Sequence, residues 1–221
     1  MGERMDFQQL KERQRAERDG YAEDFRVRIH RALSWLDCAE QSSEDQDIRF
    51  IALWIAFNAA YAQDLWFDTS KNEHIRLHSF LMTLSNSDSK NRFFEVLWNE
   101  FSGSVRMLLD NKYIFQPFWD WQNGRSTEAE FVRQFEGSQR AVNKALGNND
   151  TATILQIVFN RLYTLRNQLI HGGATWNGEV NRDQIRDCTS LLGRLVPVAI
   201  EILMDNPEID WGPVHYPVIE H

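Results

Sequence analysis

Between residues 151 and 171 apolar residues recur at spacings of three and four, and two glycines follow at once, Gly172 and Gly173. On a wheel of about 100° per residue, Ile154, Leu155, Val158, Phe159, Leu162, Leu165, Leu169 and Ile170 fill one broad arc. A stripe that wide must be buried against other elements, and the glycine pair suits a left-handed helix cap. A chain built around such a segment folds by packing helices. The rest of the sequence agrees: only 5 Pro and 11 Gly occur in 221 residues, and β-branched residues rarely alternate with polar ones. The fold class expected is all-α.

Other segments can be placed by the same rules. Residues 7–40 read as one or two helices broken near Gly20, with Lys11 to Arg18 a solvated face of both charge signs. Phe25, Ile29, Leu33 and Leu36 form a buried stripe in its second part. Ser43 with Gln46 is a capping-box pattern, so a helix should start near Glu44 and run to about Trp66. Its apolar residues lie on nearly all sides, as in a central helix, and Asn58 among them would need a hydrogen-bond partner or serve beside a site. In the middle, helices are expected at 72–84, 90–109 and 128–146, the last capped by Thr127 with Glu130. Between them Phe115, Phe118, Trp119 and Trp121 cluster around Pro117, either as an irregular segment anchored in the core or as a stacking surface for bases. After a polar loop at 174–181, a last helix covers 182–204, with a kink or break at Pro197. The organisation expected is one helical domain over 1–204, with 68–149 a helical insertion, and an extended tail over 205–221.

Composition narrows the function classes. With 43% hydrophobic residues, 8 Trp and 14 Phe, there is material for a real core. Two cysteines, Cys38 and Cys188, are too few for a disulfide framework or a Cys-rich zinc site and read as core thiols. No charged-then-apolar leader is visible, so a cytoplasmic location is expected. The most apolar run, 50–62, falls short of the ~20 residues that span a bilayer. A formal charge of −8 argues against nucleic-acid binding over the whole surface and leaves room for a local basic cleft. His74 and His78, four apart, make an incomplete metal site, and no cofactor motif is present.

One constellation carries chemistry. Arg166 falls inside the apolar arc of the 151–171 helix, where a guanidinium must find a carboxylate, an interface or an anionic ligand. Asn167 and His171, four apart, share a neighbouring face, so the Asn side chain can reach the imidazole or a common ligand. The same residues also fit an Arg in an internal salt bridge beside a His whose charge favours the helix C-terminus.

The string Leu165-Arg166-Asn167-Gln168-Leu169-Ile170-His171-Gly172 resembles the Arg-x₄₋₆-His signature of the HEPN superfamily, and Leu53 to Tyr61 is similar to the central helix of several bacterial HEPN-like families. The resemblance implies an up-and-down helical bundle that dimerises with both signature helices at the interface, here with additional helices in the middle of the chain. It implies a metal-independent endoribonuclease, with Arg166, Asn167 and His171 as the catalytic set and RNA as substrate. Roles in toxin–antitoxin or antiphage systems, with an antitoxin or a nucleotidyltransferase as partner, follow from the same resemblance. Some members are non-catalytic, so a module that binds a protein partner or a nucleotide is the alternative. In an active member, the His moves the proton between the 2′-hydroxyl and the leaving 5′-oxygen, and the Arg stabilises charge on the phosphorane.

Overall fold

A computed structural model describes residues 5–61, 70–179, 181–214 and 216, with side chains from 75 onward in the stretch that begins at 70. Among these the fold is all-α, without a strand. The chain divides into two compact units, one made of Met1–Lys90 with Leu192–His221 and the other of Asn91–Leu191.

The discontinuous unit starts with α1 (Phe7–Glu17), whose capping box is made by Asp6 and Gln9. A 3₁₀ turn at Arg18–Gly20 breaks the first helical stretch where Gly20 predicts a break. α2 (Glu23–Gln41) then buries Phe25, Ile29, Leu33 and Leu36, the expected stripe, at 5% exposure or less. α3 (Gln46–Tyr61) packs closely on α2 and is buried on most sides, with Phe50, Leu53, Trp54 and Phe57 at 1% exposure or less. Its cap differs from expectation. The Asp45 carboxylate accepts from the Asp47 and Ile48 N–H groups at 3.0 Å each, while Ser43 lies in the preceding turn. A carboxylate next to the first turn satisfies two free donors and the positive helix end together, which a hydroxyl two residues earlier cannot do. Trp66, where the sequence places the end of this helix, lies outside the described residues. Asn58 is half-buried, and its Oδ1 has no donor among the described residues.

α4 (Ser70–Asn86) brings Phe80 against Phe57 and Tyr61. α10 (Arg182–Asp205) stays helical through Pro197, so of the kink or break expected there the break does not occur. The bond that Pro197 cannot donate would have gone to the carbonyl of Gly193, four residues earlier. After α10 the chain is irregular but docked. Trp211 is 5% exposed, its ring 5.8 Å from that of Phe80, and its Nε1 donates to the Asn206 carbonyl. Arg28, 1% exposed, fixes this segment: its guanidinium donates to the carbonyls of Ala60 at 2.7 Å, Trp211 at 3.1 Å and Gly212 at 2.8 Å.

The contiguous unit opens with a departure from expectation. The single helix expected at 90–109 is broken into α5 (Arg92–Phe94), a π-helical stretch at Glu95–Glu100, and α6 (Ser102–Asp110). The Phe101 N–H bonds the Val96 carbonyl, five residues back, and Phe101 leaves helical geometry at φ −121°, ψ 21°. Ser102, Gly103 and Ser104 follow, three poor helix formers that do little to hold one continuous register. A 3₁₀ turn at Lys112–Ile114 leads to α7 (Gln116–Gln122), then to α8 (Glu128–Gly147) with the expected Thr127–Glu130 capping box. α9 (Thr151–Ile170) packs against α6 and α8. Its N-terminus is held by Asp150, which accepts from the Thr153 N–H at 3.0 Å and the Thr153 hydroxyl at 2.7 Å.

Candidate active site

The last turn of α9 holds the three residues singled out by sequence. Ile154, Leu155, Val158, Phe159, Leu162 and Leu165 are all at 1% exposure or less, so most of the apolar arc is core. The arc does not reach its expected end: Leu169 is half-buried and Ile170 is 49% exposed. Arg166 and Asn167 therefore sit where the helix surface passes from core to solvent, and both are half-buried. His171, expected as the last helical residue, is the C-cap, and it is exposed.

The cap is a Schellman motif. Gly172 N–H donates to the Leu169 carbonyl at 3.2 Å and Gly173 N–H to the Gln168 carbonyl at 2.7 Å. Gly172 takes φ +69°, the left-handed conformation expected of it. Gly173 is needed for space, since a Cβ there would lie 3.0 Å from the Gln168 oxygen. This pair stops the helix directly after His171 and projects the imidazole from its end.

Arg166 Nη1 donates to the Asn167 side-chain oxygen at 2.8 Å, and its guanidinium carbon lies 5.5 Å from the centre of the Tyr163 ring. Its Nε is buried without a hydrogen-bond acceptor, and no carboxylate pairs with it among the described residues. The internal salt bridge that the sequence left open is not formed among them. The structure thus joins Arg166 to Asn167 directly. It does not join Asn167 to the imidazole, which makes no hydrogen bond among the described residues; only the backbone links them, His171 N–H donating to the Asn167 carbonyl at 3.0 Å. Next to them Gln168 donates to the Tyr113 carbonyl at 2.6 Å, and Trp176 beyond the cap is 72% exposed. Chemically, the turn offers a planar cation held by an amide rather than neutralised by an acid, and an exposed imidazole that can donate or accept a proton.

A second arginine of α9 escaped the sequence reading. Arg161 is 2% exposed, stacked 4.1 Å above the Phe115 ring, and its Nη2 donates to the Leu109 carbonyl at 3.3 Å and the Ser138 hydroxyl at 3.0 Å. It closes the C-terminal turn of α6, and burial pulls its pKa down to about 10. The signal was faint: Arg161 stands three after Val158 and four before Leu165, at the edge of the apolar arc beside Ile154.

The remaining candidates fall outside this turn. The aromatic cluster is anchored in the core, one of the two arrangements its sequence allows, but it is helical rather than irregular. Phe118 is buried, Trp121 stacks on Phe131 at 5.3 Å and 8°, and Trp119 Nε1 donates to the Tyr113 carbonyl. Proline at the first turn of α7 explains the helix, because its fixed φ fits there and its missing N–H is not needed. His78 is exposed on α4, and the side chain of His74 lies outside the described residues. No group of three or more His, Cys, Asp or Glu is placed to hold a metal among the described residues. Cys38 and Cys188 are free, the first half-buried and the second buried. No helix among the described residues is long and apolar enough to cross a membrane. Compared with known protein families, curated proteins and solved structures, the chain matches none.

Proposed function

We propose that this chain is a metal-independent endoribonuclease of the HEPN type, acting as a homodimer in a toxin–antitoxin or antiphage setting. The observation that supports it best is the half-buried Arg166 guanidinium, tied to Asn167 and left without a carboxylate, in the same turn that presents His171. A buried-edge cation without an internal anion is suited to an anionic ligand, and a scissile phosphate is one. In the reaction, the 2′-hydroxyl attacks the adjacent phosphorus while one His171 takes its proton. The P–O5′ bond breaks, and the His171 of a second copy gives a proton to the leaving oxygen. The products are a 2′,3′-cyclic phosphate and a 5′-hydroxyl, and Arg166 offsets the charge that gathers on the phosphorane.

The test is cleavage of single-stranded RNA in EDTA. His171→Ala removes a proton-transfer group worth about 10²–10⁴-fold, and Arg166→Ala should cost on the order of 10²–10³-fold. Both variants should keep their helical circular dichroism, and a strand lacking 2′-hydroxyls should survive. Intact RNA after incubation with wild-type protein, or cleavage that persists in both variants, sinks the reading. A non-catalytic module is the second reading, favoured by an imidazole that makes no hydrogen bond to Arg166 or Asn167 among the described residues and by the exposed Ile170 and Trp176.

A further inference from the structure

The first helix carries both charge signs in close succession, and folding sorts them by side. Lys11, Arg15 and Arg18 follow one another at i, i+4 and i+7, within a sector of roughly 60° on the helix. Arg13 and Glu17 lie on the far side, where Arg13 bonds both Glu17 and Asp205 at 2.8 Å. Glu12 and Asp19 fall on one flank. α2 returns antiparallel to α1: the Phe7 N–H donates to Glu40, and Lys11 Nζ lies 3.4 Å from His30 Nδ1. On α2 the exposed Arg26 and His30 are four apart, and Arg31 follows with its Nη2 on the Tyr216 carbonyl at 2.6 Å.

Six cationic or titratable nitrogen side chains thus border one seam, in a chain whose formal charge is −8. Among the described residues neither Arg15 nor Arg26 has a carboxylate partner, and Arg18 has only the exposed Asp19 at 3.7 Å. Burial, then Arg15 and Arg18, hold the Lys11 ammonium below the usual lysine range. Burial, then Lys11 and Arg31, do the same to His30. The acids nearest in sequence, Glu12, Asp19 and Glu23, are exposed and pair with neither Arg15 nor Arg26 among the described residues, so positive potential gathers along the seam. Bringing like charges together costs free energy, and an anion laid along the seam would recover it.

The shape of the patch suggests which anion. From Lys11 to Arg18 the helix rises about 10 Å, enough to meet about two phosphates of one strand. Four of the six side chains are arginines, whose planar fork matches phosphate oxygens.

We propose that this α1–α2 face binds the phosphodiester backbone of single-stranded nucleic acid, with Lys11, Arg15, Arg18 and Arg26 on phosphates. The choice of a nucleic acid over other polyanions rests on the nuclease reading, so the test uses strands that such an enzyme cannot cut. Full-length protein is titrated into a fluorescein-labelled oligo-dT, and into 2′-O-methyl RNA, of about a dozen nucleotides, with binding read by anisotropy at several salt concentrations. Both strands should bind. A Lys11→Gln, Arg15→Gln, Arg26→Gln triple variant should bind at least ~10-fold more weakly and flatten the log–log salt slope by about 2. Arg140→Gln, on α8, should leave binding unchanged. If the triple variant does not fold by circular dichroism, Arg15→Gln alone, at an exposed position, should still lose about threefold.

No binding of wild-type protein to either strand at low salt overturns the proposal, as does a triple variant that binds like wild type. Displacement of the strand by millimolar inorganic phosphate would identify a small-anion site and overturn it as well. Binding that holds while RNA stays uncut under every condition sinks the nuclease reading alone. Cleavage that holds while the triple variant binds normally sinks this proposal alone.

Discussion

Arg28 should contribute more to stability than any exposed ion pair of the chain, and Arg28→Met measures it. The guanidinium is 1% exposed and donates to three carbonyls at 2.7 to 3.1 Å, one at the end of α3 and two in the segment after α10. Burial costs the charged form, pulling its pKa down to about 10 despite Asp24 and Asp210 nearby. Methionine removes that cost and keeps most of the volume, but it leaves the acceptors behind. Each buried carbonyl deprived of its donor costs about 1–3 kcal/mol. Part of this is recovered from the relieved desolvation, so the net loss should be about 3 kcal/mol. In a chain of 221 residues that lowers Tm by roughly 6–12 °C. The assay is a thermal melt followed at 222 nm, with tryptophan fluorescence in parallel, because Trp211 lies on the segment that Arg28 holds. Fluorescence should report loosening around Trp211 before global unfolding. Arg28→Lys should fall between, since one ammonium cannot span three acceptors held apart. A melting point within about 2 °C of wild type for Arg28→Met would refute the claim that these bonds fix the segment.

Three further outcomes can be checked. Gly172→Ala puts a Cβ at φ +69° and should cost about 1 kcal/mol, lowering Tm by about 2–4 °C; Gly173→Ala should be no milder, because its Cβ meets the Gln168 oxygen. Burial pushes the Cys188 thiol up to about 12, so a thiol reagent at pH 8 should modify Cys38 quickly in folded protein and Cys188 only in denaturant; equal rates would be the contrary result. Asp150→Ala should destabilise by about 1 kcal/mol at neutral pH. The Thr153 N–H and hydroxyl hold the Asp150 carboxyl below its usual 3.8, so its contribution is full above that value and is lost as pH falls through the lowered one. The difference between variant and wild type should therefore close in acid, and a gap that stays constant with pH would remove the carboxylate from the cap.

Periodicity made the helices legible wherever an element buries a broad stripe, as α2 and α9 do. It failed where the competition is local. At α3 a serine and an aspartate two apart both fit a cap, and only geometry decides between them. At 95–101 the apolar spacing reads as one continuous helix, yet the backbone changes register through a π turn, whose bonds to the fifth residue back leave no mark in a short apolar run. The candidate turn was legible in its residues and its stop signal. Its internal contacts were not: equal spacing allowed Asn167 to face either neighbour, and it faces Arg166. Arg161 went unread because it stands at the edge of the arc, where a guanidinium can equally turn to solvent, and the acceptors that hold it inside lie 23 and 52 residues away in the chain.

The discontinuity of the first unit has a consequence for the order of events during synthesis. Its helices α1 to α4 leave the ribosome long before the residues from Leu192 onward that complete it. At about 5–20 residues per second, the intervening hundred or so residues impose a delay of roughly 5–20 s. Over that interval Arg28 has no Trp211 or Gly212 carbonyl to hold, and Phe80 has no Trp211 ring beside it. The contiguous unit, whose own residues emerge in one run, can consolidate first. The usual rule that N-terminal structure matures earliest is thereby reversed, and nascent chains paused shortly after residue 191 should be the ones that chaperones engage and proteases cut within residues 23–61.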